Sequence, residues 1–407
     1  MQPAKVLEVL EATVGGARKH VLQLLRGLDR SRFDLHLACS LERDPGAAAE
    51  LEALRAEGIR VFTVPMRRRP APLSDLLALR RLTALMRAER YQLVHTHAAK
   101  AGFLGRLAAR RAGAPAVVHT PHTFPFERVD TVLTPLYRFL ERRAAAWAQR
   151  IVLVAASQRE AALEARLCDA DRLAVLENGI PMPAEDPADA RRRWRAELGL
   201  GEDVPAAAFV GRLTPQKDVQ TFLSVAAELR REMPSVRLFV VGRASGRRYL
   251  ASLQPRISSQ AWRVAALGER PVTPVVWSAE LPAGVLGHCP AAAELVAAFD
   301  VVLLPSRYEG LPYSLLEAMA QRVPVVASAV TGNRDVIEDG HSGFLVPVGD
   351  VAGFARSTLR LLSDGALRQR LGAAARERVA ASFTEERFLR GMAALYGEVL
   401  SQGGRGV

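Results

Sequence analysis

Short runs of apolar residues alternate along almost the whole chain with longer segments whose apolar positions recur every three to four residues. The first pattern is that of strands buried on both faces, and the second that of helices packed on a sheet. In the first half the strand-like runs fall at 5–10, 33–38, 59–64, 92–95, 116–119 and 150–154, and the segment from Ala17 carries Val21, Leu24, Leu25 and Leu28 at helical spacing. The stretch NGIPMPAEDPAD at 178–189 interrupts the series, because its three prolines and neighbouring acids end any regular element and favour a connector. A second series follows at 206–210, 236–241, 275–277, 301–304, 323–327 and 344–346. Such alternation predicts parallel sheets covered by helices on both faces. The expected architecture is α/β, with two Rossmann-like, doubly wound domains at 1–185 and 190–383 facing a cleft. Ligands of such sheets bind at the carboxyl ends of strands, so chemistry is expected in the turns that follow them.

Composition removes several other classes. With 49% hydrophobic and 24% charged residues over 407 positions, the chain has the make-up of a globular protein. No apolar run comes near the roughly 18 residues needed to span a bilayer. Acids interrupt the KVLEVLE start where a signal peptide would carry its apolar core, so a cytoplasmic location is expected. Cys39, Cys168 and Cys289 are odd in number and lack CxxC spacing, which argues against a disulfide framework and a structural zinc site. The net charge is +12, of which 1–185 carries +8, and nearly all the cations are arginines. A basic first half suits an anionic surface, lipid or nucleic acid. No nucleic-acid-binding motif accompanies it, so no nucleic acid partner is expected. The segment 66–90, MRRRPAPLSDLLALRRLTALMRAER, is the candidate for peripheral contact with anionic membrane. Its Leu73, Leu76, Leu77, Leu85 and Met86 fall near helical spacing among Arg80, Arg81 and Arg87, with Arg67 to Arg69 upstream. The same leucines would also serve as the buried face of a helix packed on the sheet.

Several turns carry residue types with chemistry. Val14-Gly15-Gly16-Ala17 lies between the first strand and the first helix, where backbone N–H groups converge as a phosphate requires. The same glycines would fit a tight turn with no ligand, and the dinucleotide pattern GxGxxG is not there. His95, His97, His119 and His122 fall at or just past the ends of two strands; with no acid or cysteine accompanying them, no metal site is expected. His122, in the loop PHTFPF, is placed to contact a polar substrate as a neutral imidazole. After 206–210, the turn from Gly211 presents Arg212 and, at a helix start, Lys217; a planar fork and a compact ammonium together suit a diphosphate. After 301–304, Glu309 sits in a loop and Glu317, eight residues on, two turns into a helix, and both would reach one ligand beside free helix amides. On spacing alone, two glutamates are also commonplace.

Taken together, the GGARKH start, HTHAAKAGFLGRLAA with HTPHTF, VGRLTPQKD and PSRYEGLPYSLLEAMA resemble glycosyltransferase family 4. The resemblance covers most of the chain, and the E-x7-E spacing inside the PS…EG…LEAMA frame is its most specific part. It implies the two-domain GT-B fold, with a last helix in 384–407 crossing back onto the first domain. It also implies retaining, hexosyl-type transfer from a nucleotide-diphospho-sugar, UDP-sugar more often than GDP-sugar, to a glycan or lipid-linked acceptor in polysaccharide or glycoconjugate synthesis. By the same resemblance Arg212 and Lys217 hold the donor diphosphate with the amides of Gly16, Leu311 and Tyr313. Glu317 holds the ribose, Glu309 and Gly310 meet the donor sugar, and His122 approaches the reacting carbon, which makes His122 and Glu309 the catalytic candidates. Cations and amides then stand in for a divalent ion, so neither metal nor other cofactor is implied.

The sequence departs from the family pattern in several places. The stretch 244–290 lacks the usual GxGP…R segment, which leaves donor identity open. Pro312 replaces a glycine and suits a first helical position. Arg322 and Asn333 replace glycines at expected left-handed positions, which would cost the arginine ~1 kcal/mol and suit asparagine better. Two rival readings share the fold: a nucleotide-sugar epimerase, against which the E-x7-E frame speaks, and a module that binds nucleotide or glycan without turnover, which only the altered 244–290 stretch supports.

Overall fold

In the computed structural model, which describes all residues except 1, 12–13, 43–46, 68–69, 128–131, 244–248, 250–282, 288 and 404–407, the apolar runs of the first half become parallel strands. These are β1 (Ala4–Leu10), β2 (Phe33–Cys39), β3 (Arg60–Thr63), β4 (Leu93–His97), β5 (Ala116–Thr120), β6 (Arg150–Leu153) and β7 (Leu173–Val175), in the order β3-β2-β1-β4-β5-β6-β7. Parallel neighbours need crossover connections, and helices such as Gly15–Gly27, Pro72–Glu89 and Ala99–Ala112 provide them. Val6, Leu10 and Leu93 face one core, which also takes Phe388, Met392, Tyr396 and Val399 of the last helix, Glu385–Gly403. Leu7, Val9 and Val94 face the other core, with Leu79, Leu82 and Met86 of Pro72–Glu89. This unit comprises Met1–Asn178 and Glu385–Val407.

The second unit, Gly179–Thr384, holds six parallel strands among its described residues. They are β8 (Ala206–Val210), β9 (Arg237–Val241), β10 (Gly284–Gly287), β11 (Val301–Leu304), β12 (Val325–Ser328) and β13 (Gly343–Val346), in the order β10-β9-β8-β11-β12-β13. The order reverses between β8 and β11, as it does between β1 and β4 in the first unit; such switch points leave a crevice at the strand ends.

The units divide after Asn178, whereas the sequence places the break at 185–190. Ile180 accounts for the difference, since its N–H donates to the Phe383 carbonyl at 2.9 Å and ties the supposed connector to the second unit. Nor is 187–189 irregular. Asp186 caps the helix Pro187–Glu197 by accepting from the Ala188 N–H at 2.8 Å, with the proline in the first turn. Strands β7 and β10 are additional to those predicted, and the predicted strand at 275–277 lies outside the described residues.

Candidate active site

Strand alternation decides which polar residues of the first unit meet. Glu8, His95 and His97 share the phase of Val6, Leu10 and Leu93, so all three point into the layer beneath the first and last helices. The register sets Glu8 opposite His95. His97 Nε2 lies 2.7 Å from Glu8 Oε2, and the Tyr396 hydroxyl donates to Glu8 Oε1 at 2.7 Å while lying 2.6 Å from His95 Nδ1. The expectation of histidines without an acidic partner is therefore corrected. Glu8 stands 89 residues from His97 in the chain, and only strand pairing brings it there. His119 does not join them: one residue out of phase, it turns to the opposite face, where its Nδ1 lies 3.0 Å from Thr96 Oγ1.

His122 does join the group. It follows β5 in a left-handed conformation, φ 61, and its Nε2 lies 3.2 Å from His97 Nδ1. His20, from the first helix, packs edge-on against it with ring centroids 4.7 Å apart, and His20 Nδ1 lies 2.9 Å from Asn178 Oδ1. Burial, then the neighbouring His97, pushes His20 down to about 3; burial alone takes His97 to about 3. Burial also holds His122 and His95 well below the ordinary range. The Glu8 carboxyl moves the other way, to about 8, because burial outweighs the Tyr396 hydrogen bond. The nest is thus a set of neutral imidazoles. At the other turn of this unit, Gly15 has φ 71, no side chain caps the helix, and Gly16 in its first turn is exposed. Gly16 therefore lies at the helix's positive end.

In the second unit the turns after β8 and β11 interlock. Lys217 Nζ lies 2.7 Å from Glu309 Oε1. Gln216 donates to the Tyr308 carbonyl at 3.1 Å and accepts at its own carbonyl from the Arg307 N–H at 2.8 Å. Asp218, left-handed at φ 48, accepts from the Thr221 N–H at 3.4 Å and from Arg307 Nε at 3.1 Å. The helix therefore begins at Val219, one residue beyond an acidic cap, and Lys217 belongs to the turn rather than to the helix start. Arg212 is half-buried directly after Gly211.

The loop after β11 delivers Glu309 and Gly310, both buried, to the helix Tyr313–Ala320. Pro312 is the residue before that helix, not its first member, and Glu317 is the fifth helical residue, a little over one turn in rather than two. No side chain caps this end, at which Leu311 precedes and Tyr313 opens the helix. Arg322 ends the helix at φ 59, the left-handed position expected of it. Asn333 does not share that geometry. Gly332 carries it, at φ 78, while Asn333 opens a short helix and donates from Nδ2 to the Ser328 carbonyl at 2.9 Å. Most of 244–290, and with it the altered segment, lies outside the described residues.

Glu8, His20, Gln216 and Asp218 had no assigned role in the sequence reading. For Glu8 the signal was available in the strand phase; for the others it was not, because contacts between distant segments follow from neighbours in space.

The family described as glycosyl transferases group 1 matches residues 204–364, and a glycosyl transferase 4-like domain matches 15–179. A D-inositol 3-phosphate glycosyltransferase of Salinispora arenicola is 33% identical over 336 residues, covering 79% of this chain and 72% of that protein. The chain belongs to the group 1 glycosyl transferases. This glycosyltransferase is also similar to the UDP-Gal:alpha-D-GlcNAc-diphosphoundecaprenol alpha-1,3-galactosyltransferase of Escherichia coli, at 29% identity over 362 residues, 87% of this chain and 86% of the other. Among solved structures it matches Anabaena Alr3699/HepE in complex with UDP and glucose, with TM-score 0.75 and 20% identity over 97% of this chain and 100% of that one. Sucrose-phosphate synthase from Thermosynechococcus elongatus matches with TM-score 0.77 and 23% identity over 98% and 100%. These likenesses establish the GT-B fold for the glycosyltransferase.

Proposed function

We propose that the protein transfers a hexosyl group, with retention of configuration, from a UDP-sugar to a lipid-linked glycan acceptor, without a metal cofactor. The observation that carries this reading is the 2.7 Å pairing of Lys217 with Glu309 across the switch point of the second unit. It sets a cation for a diphosphate next to a carboxylate for sugar hydroxyls. The E. coli relative is named for a UDP-sugar donor and a diphosphoundecaprenol acceptor, and the Anabaena structure holds UDP and glucose, which favours uridine and a lipid-linked acceptor here.

Cleavage of the bond between anomeric carbon and phosphate leaves positive charge on the sugar and negative charge on the departing diphosphate. Arg212, Lys217 and the amides of Gly16, Leu311 and Tyr313 stabilise the leaving group. Lys217 pairs with Glu309 until the donor arrives, and then turns to phosphate as Glu309 and Gly310 meet the sugar. Glu317 holds the ribose. His122, kept neutral by burial, offers a hydrogen bond near the reacting carbon without adding positive charge where the sugar develops its own. The departing phosphate accepts the acceptor's proton. Incubation with UDP- and GDP-sugars and a lipid-linked glycan tests the proposal: UDP release with an extended acceptor of unchanged anomeric configuration supports it, and nucleotide binding with no extension of any acceptor contradicts it.

The same reading docks the first unit on anionic lipid. On Pro72–Glu89 the buried seam runs through Ala78, Leu79, Leu82, Thr83 and Met86, which leaves Leu73 (86% exposed), Leu76 and Leu77 outside. The helix Thr134–Ala145 exposes Leu136 and Phe139 among exposed Arg138, Arg142 and Arg143. Both apolar groups lie in the first halves of helices, hence at the end of the parallel sheet where the strands' carboxyl ends emerge. Apolar wedges among arginines fit an anionic membrane surface.

A further inference from the structure

We propose that His20, His97 and His122 form a binding site for a divalent transition-metal ion of the zinc class. His20 is fully buried, and with Asn178 Oδ1 accepting from its Nδ1, its Nε2 lone pair is left bare; that nitrogen has no hydrogen-bond partner. A buried polar atom without a partner is unusual enough to call for a ligand. His97 is held through Nε2 by Glu8, so Nδ1 is the nitrogen it offers, and His122 Nε2 lies 3.2 Å away from it. One nitrogen from each ring lies within 4.8 Å of the others. Nitrogens sharing one zinc at ~2.0–2.1 Å stand about 3.3 Å apart, so a small closing movement of the His20 side completes the set.

The surroundings are those of ligating rings. A carboxyl group on the far nitrogen of one histidine and an amide oxygen on that of another fix the orientation of the two rings. Tyr396, from the last helix, braces the Glu8 carboxyl. Burial keeps all three imidazoles in the neutral form that binds metal. Three nitrogens suit zinc, copper or nickel and not magnesium or calcium, which take oxygen, so this ion differs in kind from one that would neutralise a diphosphate. His122 is the half-buried member of the three. The binding stands apart from the transfer reading; its consequence rests on it. A His122 committed to metal is lost to the donor sugar, so zinc lowers transfer.

The full-length protein, stripped of metal and titrated with Co²⁺ and then Zn²⁺, tests the site through visible absorption and binding heat. One ion per chain is expected, with the strong absorption of four-coordinate Co²⁺ displaced by Zn²⁺. Glu8→Gln and Asn178→Ala keep all three rings but release their supports, and should weaken binding by roughly 10–100-fold, with His20→Ala at least as severe. His341→Ala, which removes an exposed ring of the second unit, should change nothing. Histidine ring-nitrogen resonances of the unsubstituted protein report the ligands even where a buried variant fails to fold. Failure to bind a stoichiometric ion, unchanged affinity in folded His20→Ala, or His20 and His97 resonances that do not move with Zn²⁺ would each overturn the site. Stoichiometric zinc that leaves transfer unaltered would support the site and contradict the role given to His122 in transfer.

Discussion

At the scale of single residues, the proposed function separates, in the second unit, charge that binds from charge that turns over. Arg212→Ala and Lys217→Ala each remove a charge-assisted contact worth roughly 1.5–3 kcal/mol, and both should weaken UDP binding by one to two orders of magnitude on that basis. Calorimetric titration with UDP checks this; unchanged affinity in both variants would take them out of the donor site. Lys217→Ala also strips the partner 2.7 Å from a buried Glu309, so some of its effect should appear as lost stability. Glu317→Ala should weaken nucleotide binding, whereas Glu309→Gln should depress turnover more than UDP affinity. Equal losses of UDP binding from the two would contradict that division, and a glycosyl adduct trapped on Glu309 would replace front-side attack with a covalent route. The cations and both glutamates were legible as residue types in particular turns. Their mutual contact was not, because no rule of spacing states that Lys217 folds back onto Glu309 rather than into solvent.

At the scale of elements, the strands were the most legible feature, since burial on both faces writes itself as an unbroken apolar run. β7 escaped because three residues, one buried and two half-buried, leave too short a signal, and the helix Pro187–Glu197 was hidden by a proline that begins it rather than breaks it. The loop holding Glu309 depends on a close approach that the sequence marks only as a glycine. At Gly332, φ 78, an added Cβ would lie 1.6 Å from the Gly310 carbonyl oxygen. Gly332→Ala should therefore push the loop away from its place, costing ~1 kcal/mol or more from backbone strain alone and most of the transfer activity. Kinetics and thermal unfolding of that variant check the point; wild-type turnover would show that the loop position is not critical.

At the scale of the whole molecule, two parallel sheets with a switch point each were foreseeable from alternation, while the placement of the last helix in the first unit came from the resemblance, because its apolar face does not say which core receives it. Among the described residues no helix is long and apolar enough to cross a membrane, so the proposed attachment rests on surface groups. Binding to anionic vesicles at low salt should fall when Leu73, Leu76 and Leu77 become Ser, and more steeply when Arg138, Arg142 and Arg143 become Glu, at ~1 kcal/mol per basic residue removed. Co-sedimentation that is missing at low salt, or indifferent to both sets, would point to a soluble acceptor. The central claim, that fixed cations and helix amides carry the leaving diphosphate without a metal, is tested most directly by UDP release and acceptor extension from UDP-galactose and UDP-glucose with metal-stripped protein in excess chelator. The account predicts transfer at least as fast as without chelator; transfer that disappears in chelator and returns with Mg²⁺ or Mn²⁺ would contradict it.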